Sequence, residues 1–307
     1  MANHPDVLYH YCSLNTFYNI IKNRTIRLSD IKKANDSEET VWLPKMYHEY
    51  IFHNIRSRAI ENQELVPYAV AAFDCLEDEK VLFASESLLK SWVLCLSTKG
   101  DLLSQWRGYA EDGCGISIGF RFDSLKPKQK SNGDGSAYPF FDLRKVTYID
   151  ALKGKQEKNA DDVIDAIFNA PEPPHRGDNP ITRLFAASGQ ESNFYKKKAF
   201  KEECEWRLVY GALGTGFPEH DVIAFMDNHN QEQFEFKSFD FMVRRGTLVS
   251  YFDLAIRDFG NAIKEIIIGP KANITDKTIE QFLIANGLKT KFYGGDIAIR
   301  KSQASYR

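Results

Sequence analysis

The chain has 307 residues, 43% hydrophobic and 27% charged, with a formal net charge of −2. Those are ordinary globular values, and they offer no general electrostatic grip on nucleic acid or on an acidic membrane, although a local basic groove stays open. No run of about 18 apolar residues occurs, so no membrane-spanning helix is expected, and the opening MANHPDVLYHYCS lacks the pattern of a signal peptide.

Cysteines stand at 12, 75, 95, 114 and 204. Their spacing matches neither a short-spaced zinc site nor a disulfide framework. Reduced thiols in a cytoplasm are expected, with Cys95 and Cys114 as core residues of apolar runs.

Residues 7–12, VLYHYC, read as a strand. Ser13 can cap a following helix, in which Leu14, Phe17, Tyr18 and Ile21 share one face. A short strand is expected at 25–28, a polar loop at 30–39 and a longer helix within 40–64. WVLCLS at 92–97 has strand length and composition. Residues 101–113 are polar with aromatics. GISIGF at 115–120 alternates with period two, as a half-buried strand does, and another strand is expected at 145–149.

Stretches 124–137 and 152–180 are rich in Lys, Gly, Pro and Asp. They read as loop insertions in a single domain spanning 1–307, the second with a helix at 160–169. Strands follow near 204–210, 234–250, 264–268 and 290–299. A helix near 275–285 ends at Asn286-Gly287. Many strands with few intervening helices argue against a doubly wound parallel sheet. The expected class is α+β: a mixed or antiparallel, bent and split sheet with surrounding helices.

Chemistry can sit in three stretches. In KEECEWRLVY at 201–210, a strand would put Trp206, Leu208 and Tyr210 on one face. Glu203, Glu205 and Arg207 would lie on the other, at about 7 Å per two residues. Such an acid pair can orient ribose hydroxyls and face an oxocarbenium ion; a solvated Glu/Arg ladder is the alternative. His10, between Tyr9 and Tyr11, can offer one donor and one acceptor, or be a satisfied histidine at a strand end. Gln105, Trp106 and Tyr109 bring aromatic rings that can sandwich a nicotinamide or a base, or simply pack a helix. Asn35, Asp36 and Glu39 form a further polar group that also reads as a turn with a helix cap. No phosphate-binding loop, zinc-protease motif or nucleophile elbow is present, and no metal is expected.

The segments LYHYCS at 8–13, LSDIKKANDSEE at 28–39, LSQWRGYAEDGCGISIGF at 103–120, FKEECEWRLVY at 200–210, IKEIIIGP at 263–270 and the terminal KSQASYR together resemble the bacterial family called domain of unknown function 2971. Ser37 departs from it, standing where that family's turn has proline. The opening strand with its YHY-Ser ending, then a helix and a short strand, is more loosely similar to ADP-ribosyltransferases. That resemblance implies an NAD-binding cleft. His10 and Tyr11 on the first strand, and Trp106 or Tyr109 on the nicotinamide, would hold NAD. Glu205 would be catalytic and Glu203 would engage the acceptor. Arg207 would steady the acid pair or touch a phosphate.

The implied function is an ADP-ribosyltransferase-like or NAD-cleaving enzyme in a bacterial toxin or phage-defence setting, its acceptor being protein, nucleic acid or water. A metal-dependent nuclease using Asp36, Glu39, Glu203 and Glu205, and a non-catalytic nucleotide- or partner-binding module, are the alternatives. The oligomeric state is left open by the sequence.

Overall fold

The computed structural model describes residues 4–33, 41–84, 89–127, 140–213, 233–244 and 246–306. Asn35, Asp36, Ser37 and Glu39, and most of the 124–137 stretch, lie outside them.

The molecule is mixed α+β. Strand β1 (Val7–Cys12) turns Leu8 and Cys12 into the main core and Tyr9 and Tyr11 to the opposite side. Ser13 then caps helix α1 (Leu14–Asn23), its side chain accepting from the Thr16 amide at 2.9 Å. The buried face of α1 is Phe17, Ile20 and Ile21, whereas Leu14 and Tyr18 are exposed. β2 (Thr25–Asp30) follows, two residues longer than expected. β3 (Leu89–Ser97), α4 (Leu103–Tyr109), β4 (Ile116–Arg121), a short α5 (Phe122–Leu125) and β5 (Phe140–Lys145) continue the chain after the two helices α2 (Trp42–Glu61) and α3 (Val66–Ala84). β4 is buried on both faces rather than one, because it lies between β1 and β11 (Ile263–Ile268).

The described sheet has a branch. Its strands run β12 (Ala298–Lys301), β11, β4, β1, β3, β2, β10 (Thr247–Ile256), β9 (Phe234–Arg244), with β8 (Glu205–Leu213) and then β5 on the other edge of β3. β8 pairs along the whole of β3, from Leu89↔Leu213 to Ser97↔Glu205. The opposite edge of β3 is shared. β1 meets it only at Tyr9↔Ser97, and β2 only at Ser29↔Val93 and Asp30↔Trp92. The strands therefore fork around Leu94–Leu96. Most pairings are antiparallel, and β11 with β12 is parallel. The arms still share one apolar core, in which Trp92, Leu208, Tyr210, Phe234 and Phe252 meet residues of α1, α8 (Phe259–Ala262) and α9 (Asp276–Ala285).

A second core is helical. Ile51 and Ile55 of α2, Ala72 and Leu76 of α3, Ile164 and Ile167 of α6 (Lys155–Phe168), and Ile181 and Phe185 of α7 (Pro180–Ser192) pack together. Residues 152–180 hold the helix expected within them, starting five residues earlier at Lys155, and it joins a packed helical layer because Ala160, Ile164 and Ile167 recur at helical spacing and are buried. That layer ends in β7 (Tyr195–Lys196), which pairs in parallel with β6 (Thr147–Tyr148). No helix among the described residues is long and apolar enough to cross a membrane.

Candidate functional site

The fork in the sheet opens a cavity. Where backbone bonds between β1 and β3 would continue, His10 inserts instead. Its Nδ1 lies 3.1 Å from the Cys95 carbonyl oxygen. A carbonyl can only accept, so Nδ1 carries the proton and Nε2 keeps its lone pair. Burial pushes the imidazole pKa below its ordinary value, partly opposed by that hydrogen bond, and the ring is neutral.

β1 contributes Tyr9, His10 and Tyr11 to the cavity wall, and β3 contributes Cys95 and Leu96. Gln105 and Tyr109 of α4 close it from one side, Glu203 and Glu205 from another. Cys95 is exposed here, as Cys114 is elsewhere, contrary to the core placement expected for both. Leu94 and Leu96 take the core side of β3, so Cys95 must face the opposite way.

Glu203 does not lie on a strand. A 3-10 helix spans Lys198–Glu203, Cys204 takes the left-handed conformation at φ 48°, and β8 begins at Glu205. Ser97 supports this turn: its hydroxyl donates to the Glu203 carbonyl at 2.7 Å. The two carboxylates nonetheless meet, because both reach Lys196, whose Nζ is 2.8 Å from Glu203 Oε2 and 3.3 Å from Glu205 Oε2. Lys196 is 4% exposed, and sequence reasoning missed it.

The two acids have different surroundings. Glu205 receives Arg207 Nε at 2.8 Å and Nη2 at 3.1 Å, besides Lys196 and the Cys95 thiol. Those donors fill about four acceptor sites, the capacity of a carboxylate. Burial would raise its pKa, but the Arg207 and Lys196 charges overcome burial and hold it at about 2. Among the described residues Glu203 accepts from Lys196 and, at 3.2 Å, from the Tyr109 hydroxyl. Burial dominates there and raises its pKa, against the lowering effect of Lys196. One acid is a fixed anion; the other has acceptor capacity to spare and a raised pKa, a division of labour typical of acid–base pairs.

Arg207 has no exposed surface. Its Nη1 donates to the Asn193 carbonyl at 2.8 Å, so it steadies Glu205 and cannot touch a phosphate. Trp106 is likewise fully buried. It packs edge-on against Tyr11 at 4.8 Å and donates from Nε1 to Asp101 at 2.7 Å, behind the wall rather than in it. Asp101 also receives the Ser302 hydroxyl and the Gln303 amide, which straps the C-terminal segment over α4. Tyr11 lines the cavity, but its hydroxyl is engaged, donating to the Lys99 carbonyl at 2.7 Å and accepting from the Leu102 amide at 2.9 Å. Tyr109 stands at the rim, 36% exposed.

The cavity measures about 50 Å³. That is room for a few waters, well short of the roughly 300–1,000 Å³ of sites that enclose drug-sized ligands. It is too small to enclose a nucleotide.

No curated protein and no solved structure matches the chain. A family model described as "Protein of unknown function (DUF2971)" matches residues 105–208, about a third of the length, and the chain is similar to that family across the stretch that carries Gln105, Tyr109, Glu203 and Glu205.

Proposed function

We propose that the cavity is the reaction centre of an NAD-cleaving enzyme of the ADP-ribosyltransferase kind, in a single-domain fold with a split sheet like theirs. The observation that carries this reading is convergence. His10, Tyr109 and the Glu203–Glu205 pair, nearly 200 positions apart in the chain, line one cavity at the fork of the sheet. Both acids have perturbed pKa values, as functional carboxylates tend to have.

The residues take the following parts. As the bond from ribose C1′ to nicotinamide breaks, its electron pair neutralises the pyridinium nitrogen and positive charge grows on the sugar. Glu205, ionised at every physiological pH, supplies a fixed negative potential there. Its acceptor sites are filled, so of the acid pair it is Glu203 that contacts a ribose hydroxyl. When water is the acceptor, Glu203 in its ionised form takes the proton as oxygen bonds to C1′. Tyr109 must swing from Glu203 to admit the nicotinamide ring, a movement open to a rim residue. A toxin or phage-defence role would follow from depletion of NAD or modification of a target.

The metal-dependent nuclease is disfavoured by ligand supply. Lys196 and Arg207 already occupy the Glu205 oxygens and one oxygen of Glu203, which leaves too few free carboxylate oxygens to hold a divalent cation.

The test is nicotinamide release from NAD by the purified protein, with water and then with a cell extract as acceptor source. Glu203→Gln should abolish release while leaving the fold intact by circular dichroism. Release unchanged in Glu203→Gln would remove the acid from the reaction. Tight NAD binding without turnover in either condition would instead indicate a binding module.

A further inference from the structure

We infer that Gln105, acting with His10, reads a primary carboxamide on the ligand and selects it over the corresponding carboxylate. Gln105 lies on α4 and is only 8% exposed, yet it borders the cavity and its amide has no hydrogen-bond partner among the described residues. Two other polar residues of the same helix have partners inside the protein, Trp106 in Asp101 and Tyr109 in Glu203. The side chain is thus held almost wholly inside the protein while its amide opens onto the cavity, which presents a donor and an acceptor to whatever enters.

The partner's chemistry follows from what else faces the space. Gln105 offers an N–H donor and a carbonyl acceptor. His10 offers a lone pair at Nε2, since Nδ1–H is committed to the Cys95 carbonyl. Glu203 adds a further acceptor. A primary carboxamide can pair with Gln105 in both directions, its NH2 donating to the Gln105 carbonyl and its carbonyl accepting from the Gln105 N–H, with His10 as a second acceptor for the NH2. A carboxylate brings acceptors alone. It would set one oxygen against the Gln105 carbonyl and the imidazole lone pair, and such mismatches discriminate strongly in buried sites. The cavity of about 50 Å³ suits a head group of this size. Identifying that group as the nicotinamide carboxamide of NAD rests on the reading above; the preference for amide over acid does not.

The test is therefore binding. Nicotinamide and nicotinic acid are titrated into the full-length protein at neutral pH, followed by ligand-observed NMR. The wild type should bind nicotinamide at least about tenfold more tightly, the cost of one mispaired buried group. Gln105→Leu and the uncharged, near-isosteric Gln105→Met should each shrink that ratio to about threefold or less. Unfolding midpoints in urea check that the variants are folded, and Gln105→Met serves if the leucine variant is not. A wild type that binds neither probe, or binds both alike, overturns the inference, as does a folded Gln105→Met protein that keeps the preference. NAD cleavage with an amide preference indifferent to Gln105 would sink this inference and spare the enzyme reading. Loss of preference in the variants with no NAD cleavage by the wild type would do the reverse.

Discussion

Replacing Arg207 by Met should remove the group that keeps Glu205 ionised. The carboxyl sits at about 2 in the folded protein against 4.5 for the free side chain. At about 1.4 kcal/mol per pKa unit, that difference is worth about 3 kcal/mol. Because the folded pKa is the lower one, this stability is fully present above about pH 4.5 and is lost as pH falls from there towards 2. In Arg207→Met, Glu205 keeps Lys196 and the Cys95 thiol but loses its two-pronged partner inside the protein. Orphaning one side of a buried pair costs about 3–5 kcal/mol. Urea unfolding at pH 7 should show a loss of that size. Between pH 4.5 and 2 the variant's stability should fall less steeply than that of the wild type. The double variant Glu205→Gln/Arg207→Met should lose less than the two single losses combined, since the charges orphan each other. A single variant within about 1 kcal/mol of wild type at pH 7, with an unchanged acid limb, would refute the assignment of Arg207 as the clamp.

Other consequences can be measured directly. The acid limb of NAD cleavage should fall above the usual glutamate range, because burial raises Glu203; a limb within or below that range would remove Glu203 as the proton acceptor. His10 should titrate below its ordinary value by NMR, with the Nδ1–H tautomer throughout the neutral range; a protonated ring at pH 7 would contradict the geometry. Tyr11→Phe forfeits both hydroxyl bonds to the 99–102 loop, so it should cost about 1–3 kcal/mol and speed exchange of the Leu102 amide. Trp106→Phe loses a hydrogen bond to a carboxylate and should cost about 1.5–3 kcal/mol in urea.

The parts of the fold legible in the sequence are those with local punctuation. Ser13 marks the start of α1, and Asn286-Gly287 its counterpart after α9, where Gly287 takes φ 75°. α3 and α7 show no clear signal in the sequence because the first half of α3, VPYAVAAF, is apolar on every side and marks no face, while α7 begins after the Pro- and Gly-rich 171–180 stretch that reads as loop. Their faces are defined only by each other and by α2.

The site shows the same division. His10, Tyr109 and both acids were named from residue type and order. The 3-10 helix before β8 was not, because Cys204 adopts a left-handed conformation that non-glycine residues rarely signal. Lys196 opens a Lys-Lys-Lys run that looks solvated, and only the pairing of β7 with β6 sinks it beside the acids. Trp106 and Arg207 were read as ligand contacts, since nothing in a sequence distinguishes a wall from the beam behind it.

The wedge formed by His10 carries a consequence for engineering. Cutting that side chain back to alanine is ordinarily expected to enlarge a hollow. At this position it deletes the peg that stands between two ribbons joined at a single residue pair, and it returns the Cys95 carbonyl to the gap. The two strands would then extend their ladder, as exposed strand edges do. The void would shrink, and a small-molecule probe that fits the native opening would be shut out by a smaller residue.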